Sequence, residues 1–221
     1  MLSIVAHELR TPVAAIYAAA TGLSRTDALL DDAQRERLLT VITGESRRLS
    51  RLVDDLVAAA RAESGRLEVR LESCDAAELA TGAVEAARLH LPDGLSLGLE
   101  ARPDLPRVAA DPDRTRQVLS NLIDNAVKYS PAGSAIAVLV ERRDGCVRFA
   151  VRDEGPGIPA DERERIFEKF HRLEHGAAAR ASGAGLGLFV CRELVTGMGG
   201  RIWADSKVES GSTLVVELPV A

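Results

Sequence analysis

A histidine with an acid beside it is the first place where this chain could do chemistry: His7, Glu8, Thr11 and Pro12 fall close together. A neutral imidazole keeps a lone pair near physiological pH and accepts a phosphoryl group without strong activation. On a helix, residues 7 and 11 share one face, while Pro12 removes one backbone hydrogen bond and is expected to kink the turn that follows. Three further strings stand downstream. Asn121 and Asn125 are four apart, so a helix would present both amides on one side. The run Asp153-Glu154-Gly155-Pro156-Gly157 ends a β-rich stretch, and its glycines allow the backbone to bend closely round a flat ligand. Gly183-Ala184-Gly185-Leu186-Gly187 precedes a helical pattern, where small residues let backbone amides approach phosphates. Each string alone has a plainer reading, such as a surface histidine, solvated asparagines or an ordinary Asp-Gly turn. Their order and spacing together are far more restrictive.

The elements around them predict two domains. Leu38, Ile42, Leu49, Leu52 and Leu56 follow a three-four spacing, with Glu45 and Ala59 at the remaining seam positions, which predicts an amphipathic helix over 32–62. A first helix over 2–21 joins it through a polar connection containing Gly22, Ser24 and Asp27, short enough for antiparallel neighbours. One hairpin with so exposed a stripe is unstable alone, and pairing two into a four-helix bundle buries both stripes, so a homodimer is expected. At about 1.5 Å per residue the second helix runs roughly 45 Å and the first about 30 Å, so the chain is expected to begin inside a helix. From residue 67 onward strand and helix signals alternate. Strands are predicted over 67–71, 95–99, 135–141, 146–153, 201–204 and 213–218, and helices over 75–89, 112–129 and 186–198. Tight turns such as Asp144-Gly145 point to a mixed or antiparallel sheet with helices on one face. The fold class is therefore α+β, a helical hairpin over 1–64 and an α/β sandwich over 65–221, with Ser64-Gly65 as the hinge.

Composition narrows the function classes. A formal net charge of −5, with arginines interspersed among acids, gives no basic field for nucleic acid. Cys74, Cys146 and Cys191 are far apart, without CxxC spacing, and are read as reduced and cytoplasmic. The most apolar run, 135–140, is far too short to span a bilayer, so no membrane contact is expected of this segment. His90, His171 and His175 have no cluster suited to zinc. A dinucleotide fingerprint needs GxGxxG directly after a strand, and the GxGxG at Gly183 follows a small-residue stretch instead.

Taken together, His7 to Pro12, Asn121…Asn125, Asp153 to Gly157 and Gly183 to Gly187 resemble the cytoplasmic catalytic part of a sensor histidine kinase of two-component systems, over almost the whole chain. The resemblance implies a Bergerat ATP-binding fold, with ATP and Mg²⁺ as cofactors and the receiver domain of a response regulator as partner. It implies that His7 takes the phosphoryl group, Glu8 accepts the other ring proton and Thr11 positions water for dephosphorylating the regulator. It assigns ATP contacts to Asn121, Asn125, Lys128, Tyr129, Asp153, Gly155, Gly157, Ile158, Arg172, Gly183, Gly185, Leu186, Gly187 and Leu188, with Asn125 as the metal ligand. By the same resemblance the carboxylate of Asp153 meets the adenine amino group, Lys128 meets phosphate oxygens, and Arg172 reaches a terminal phosphate. The segment 159–182 suits an ATP lid, with Phe167 and Phe170 as core anchors. A cytoplasmic location follows, leaving room for an inner-membrane anchor in the parent protein.

Two other functions share the ATP fold. A gyrase-type or chaperone-type ATPase, or a serine kinase of the anti-sigma class, carries a glutamate where this chain has Asn121, and an amide cannot act as that base. A silent nucleotide-binding dimer is the other alternative, and no motif residue is missing to favour it.

Overall fold

The computed structural model describes residues 2–24, 30–173, 184–206, 208 and 210–221. The chain forms two compact units, one up to Ala60 and the other over most of the chain from Arg61 on.

The first unit is a hairpin of α1 (Leu2–Ser24) and most of α2 (Asp32–Glu63). Helix α1 runs on through Pro12, although a proline has no N–H for the carbonyl four residues back. Helix α2 begins at a reciprocal cap. The Asp31 carboxylate accepts the Gln34 amide at 2.6 Å, and the Gln34 side chain returns to accept the Asp31 N–H at 3.0 Å. The predicted seam holds: Leu38, Ile42, Glu45, Leu49, Leu52 and Leu56 are half-buried and Ala59 is buried, while most of their neighbours are exposed. Glu8 meets Arg48, and Gly22 lies against the side chain of Leu38, so rising numbers on α1 meet falling numbers on α2 and the helices are antiparallel.

In the second unit, α2 ends where Gly65 takes a left-handed φ of 65° and donates to Ala62. The strand expected over 67–71 does not form. Leu67 and Val69 are half-buried, Val69 lying against Gly197, while Leu71 is exposed, and the Arg70 amide donates to the Asp111 carboxylate at 3.0 Å instead of a ladder. The strand here is β1 (Glu72–Cys74), antiparallel to β3 (Val108–Ala110), a three-residue element too short to show periodicity. Helix α3 (Ala76–Arg88) is capped by Asp75. Helix α4 (Pro112–Tyr129) is capped by Asp111, which accepts the amides of Asp113 and Arg114 at 3.1 Å each, with Pro112 in the first turn.

The main sheet has the order β2-β4-β5-β7-β6, formed by β2 (Ser96–Ala101), β4 (Ala135–Arg143), β5 (Cys146–Asp153), β7 (Ser212–Pro219) and β6 (Arg201–Ser206). The β2–β4 pair is parallel and the rest are antiparallel, a mixed sheet as expected. Helices α3, α4 and α5 (Gly187–Gly197) pack on it, burying Phe149, Leu119, Leu122, Ile123, Leu194 and Leu218 between the layers. Glu217 sits in one cross-strand row with Arg148 and Arg201. Burial opposes its charge, but hydrogen bonds from Arg201 (2.7 Å) and Arg148 (2.7 and 2.9 Å) outweigh that and hold its carboxyl below the ordinary range. Among the described residues no helix is long and apolar enough to cross a membrane.

Candidate functional site

Chemistry-bearing residues collect in two places, one in each unit. On α1, His7 and Thr11 are exposed, and the Thr11 hydroxyl donates to the His7 carbonyl at 3.2 Å. That bond ties the threonine to the backbone of the histidine one turn before it. Glu8 is turned inward and is 8% exposed. Its carboxylate meets the Arg48 guanidinium of α2 at 3.2 Å, and Arg48 also reaches Glu45 at 3.4 Å. A carboxylate this covered by protein is costly without a cation, so Arg48 is what lets an acid sit beside His7 on the inner side of the hairpin. Arg48 was not singled out from the sequence, because forty residues separate it from Glu8.

The second place is built by α4, the end of β5 and the start of α5. One side of α4 is spent on the core through Leu119, Leu122, Ile123 and Ala126. Asn121 and Asn125 therefore lie together on a half-buried side, with Lys128 one turn on. The Asn121 Nδ2 is buried and has no acceptor among the described residues. An orphaned amide donor of this kind fits an anionic oxygen brought by a ligand. Lys128 is exposed, with Nζ 3.0 Å from the Tyr129 hydroxyl and 4.7 Å from its ring centre.

Asp153 is the last residue of β5 and is 7% exposed. Its Oδ1 accepts the Gly155 amide at 2.8 Å and the Ser212 amide at 3.2 Å. Burial raises its pKa above the ordinary value, and these two amides offset the rise only in part. Among the described residues nothing bonds its Oδ2. A Cβ on Gly155 would stand 2.8 Å from Asp153 Oδ1 and 3.0 Å from the Tyr129 carbonyl, so this glycine is what lets the loop after β5 close on the end of α4. Gly157 has a φ of 75°, and the Ile158 amide donates to the Ser206 hydroxyl at 2.7 Å.

At α5, Gly185 has a φ of 69°, and a Cβ there would stand 2.6 Å from the His171 carbonyl. Its carbonyl accepts the Phe170 amide at 2.9 Å, and Phe170 itself holds a φ of 63°, a strained value for a non-glycine residue. Gly187 and Leu188 open the helix, whose first turn has neither an acidic residue nor a side-chain cap, so its amides are left for an incoming anion. Leu186 is 1% exposed, and its side chain belongs to the core, leaving only its backbone for a ligand. Phe167 is buried as an anchor, while Phe170 and Arg172 are half-buried. Gly183 lies outside the described residues, as does the part of the expected lid over 174–182.

These groups suit a flat base carrying an amino group, presented to Asp153, and a phosphate chain running between the asparagines and α5. No cluster of three His, Cys, Asp or Glu able to hold a metal occurs among the described residues. A divalent cation would therefore rely on phosphate oxygens, water and a single amide oxygen such as that of Asn125, which is the usual habit of Mg²⁺. Three residues of this region escaped sequence reasoning: Ser206, Gly211 and Ser212. Sheet register brings them to Asp153, and no spacing rule links positions so far apart. The only local signal is the Ser210-Gly211-Ser212 turn.

Comparisons with known proteins bear on both places. The family described as "Histidine kinase-, DNA gyrase B-, and HSP90-like ATPase" matches residues 110–221, and the "His Kinase A (phospho-acceptor) domain" matches residues 1–65. The adaptive-response sensory kinase SasA of Synechococcus sp. (strain JA-3-3Ab) is 33% identical over 223 residues, covering 100% of this chain and 59% of that protein. The SasA of Synechococcus sp. (strain CC9311) is 36% identical, with 100% and 56% covered. This chain thus spans less than two thirds of the length of these curated relatives. Among solved structures, the histidine kinase AdeS of Acinetobacter baumannii superposes with a TM-score of 0.70 at 26% identity, covering 97% of this chain and 98% of that one. The histidine kinase ThkA, in complex with the response regulator protein TrrA, gives 0.67 at 27%, covering 100% and 61%. ShkA, solved with AMPPNP, gives 0.71 at 27%, covering 99% and 46%.

Proposed function

Because this chain belongs to the sensor histidine kinases, we propose that it is an ATP-dependent autokinase: it moves the γ-phosphoryl group of ATP to His7 and then to an aspartate in the receiver domain of a response regulator. The observation that carries this reading is a pairing within one chain. An exposed imidazole stands on the hairpin, and a separate pocket offers an amide, Asn121, where a hydrolase would need a carboxylate base. In the transfer a ring nitrogen of His7 attacks the γ-phosphorus, the bond to the β–γ bridging oxygen breaks, ADP leaves, and the proton on the other ring nitrogen passes to a base. Glu8 is the nearest candidate in sequence, and it pairs with Arg48 in the hairpin at 3.2 Å.

In this reading Asp153 accepts the adenine amino group on Oδ2, a contact that excludes guanine, which presents a carbonyl there. Asn121 Nδ2 and the first amides of α5 meet phosphate oxygens, and Lys128 lies close enough in sequence to join them. Mg²⁺, held by the phosphates and Asn125, supplies charge neutralisation on the triphosphate. Thr11 serves the reverse step, positioning water against the phosphorylated regulator. The hairpin acts as a homodimer: its seam is only half-buried in one chain, and Val13, Tyr17, Leu39, Val53 and Val57 remain exposed. The solved complex of ThkA with a response regulator protein and that of ShkA with AMPPNP support the partner and nucleotide named here.

The test is incubation with γ-labelled ATP and Mg²⁺. Label that is stable in base and labile in acid is expected on the native chain and absent from His7→Gln, which should still bind nucleotide. Stoichiometric label on His7→Gln, or rapid sustained phosphate release by it, would overturn the assignment and favour an ATPase.

A further inference from the structure

Asp153, Ser212 and Ser206 occupy one row across three neighbouring strands: Asp153 of β5 is paired with Ser212 of β7, and Ser212 with Ser206 of β6. All three are buried, at 7%, 9% and 4% exposure. Three polar residues in a row at the covered end of a sheet require partners, and here they find one another. The Ser206 hydroxyl donates to the Gly211 carbonyl at 2.9 Å and accepts the Ile158 amide at 2.7 Å, with the Ser212 hydroxyl 3.3 Å away. A serine hydroxyl has one proton and two lone pairs, so Ser206 is fully used. Its backbone carbonyl is also taken, by the Arg163 guanidinium.

The consequence lies at Asp153. The loop 154–158 is fastened at both ends, to Asp153 Oδ1 through the Gly155 amide and to Ser206 through the Ile158 amide. The turn between β6 and β7 is fastened by the same hydroxyl through Gly211, and its next residue, Ser212, supplies the second amide on Asp153 Oδ1. Both amides that orient the carboxylate therefore lie on segments that Ser206 ties down. With Oδ1 occupied twice, the plane of the carboxylate is set and Oδ2 points in one direction.

We propose that Ser206 is a specificity-determining positioning residue, which aims Asp153 Oδ2 at the exocyclic amino group of an adenine nucleotide by fixing both segments that hold Oδ1. It does not touch the nucleotide. The inference rests on the reading of Asp153 given above. A residue that acted only on stability would lower affinity for every nucleotide alike, whereas Ser206 acts through one hydrogen bond of one base.

The experiment measures the affinity of the whole chain for ATP and for purine riboside 5′-triphosphate, which lacks the amino group, by calorimetric titration. The native chain is expected to prefer ATP. Ser206→Ala should lose about tenfold in ATP affinity, a loss of about 1.4 kcal/mol, with little change for the amino-free analogue, and Ser206→Thr, which keeps the hydroxyl, should restore the preference. Asp153→Asn should abolish the preference, and adding Ser206→Ala to it should change nothing further. Equal losses for both nucleotides, no loss for ATP, or an additive effect on Asp153→Asn would overturn the role of Ser206. If Asp153→Asn keeps the native preference, the reading of Asp153 itself falls, and the two failures are thereby told apart. Should Ser206→Ala fail to fold, Ser206→Cys keeps the volume, weakens the hydrogen bonds and is judged by the same comparison.

Discussion

Two glycines with nearly the same backbone separate strain from clash. Gly145, in the β4–β5 turn, has a φ of 82°, and a Cβ there would meet nothing within 4 Å. Gly211 has a φ of 80°, but a Cβ there would stand 2.0 Å from the Asp153 carbonyl oxygen and 3.0 Å from its carbon. Carbon and oxygen approach to about 3.3 Å even in favourable contacts, so β5 and the β6–β7 turn must part by about 1 Å. Alanine at either position carries the left-handed strain, about 1 kcal/mol at the low end of such costs. At Gly211 the parting also weakens the bond from the Ser212 amide to Asp153, worth about 1–3 kcal/mol when a buried partner is lost, which brings the total to about 3 kcal/mol. At about 2–4 °C per kcal/mol for a chain of this size, Gly145→Ala should lower Tm by about 3 °C and Gly211→Ala by about 9 °C. The chain has one tryptophan, Trp203 on β6, whose fluorescence reports unfolding of the unit that carries the pocket. ATP affinity should be unchanged in Gly145→Ala and at least about tenfold weaker in Gly211→Ala, since Asp153 moves with its own carbonyl. Equal Tm losses, or native ATP affinity in Gly211→Ala, would refute the coupling between that turn and the carboxylate.

Acidification should weaken ATP binding from a higher pH than the usual aspartate value of about 3.9, because burial raises the Asp153 pKa and protonation weakens Oδ2 as the acceptor of the amino hydrogen bond; titrations on the native chain and on Asp153→Asn, which should show a smaller loss over the same range, check this. Glu217 behaves oppositely. Its depressed pKa makes its pairing stabilising above the unfolded value of about 4.3, and that contribution is lost as pH falls through the folded value, so Glu217→Gln should be less stable at neutral pH and lose less on acidification in urea unfolding. Arg48→Ala removes the guanidinium from a carboxylate whose side chain is 10% exposed and should cost the hairpin about 1–2 kcal/mol, recovered in part by adding Glu8→Gln; a fully additive double variant would show that the pair does not interact. Thr11→Ala should leave autophosphorylation intact and slow dephosphorylation of a regulator, whereas equal loss of both would mean that the bond to the His7 carbonyl matters for the helix itself.

Sequence reading succeeded where one element carries both the signal and its consequence. Helix α4 was legible over 112–129, and the apolar residues Leu119, Leu122 and Ile123 fix which side is buried, leaving Asn121 and Asn125 together on another. The α2 seam was legible for the same reason. It failed at 67–71, where the alternating apolar pattern matches the half-burial of Leu67 and Val69 but not the exposed Leu71, and describes the backbone wrongly. The Arg70 amide is satisfied by a side chain, Asp111, supplied from 41 residues away.

The same division runs through the pocket. Asp153 announces itself by its place before Gly155 and Gly157, but its burial raises its pKa, and the second amide on its Oδ1 comes from Ser212, which, with Gly211 and Ser206, shares no local pattern with it. Glu8 likewise announces itself beside His7, while Arg48, which makes its burial tolerable, comes from the second helix. A motif thus names the group that meets the ligand. The fold decides whether that group is charged and where it points. Two chains with identical motifs can therefore differ in nucleotide preference through positions such as Ser206, and comparison of motifs alone would not detect it.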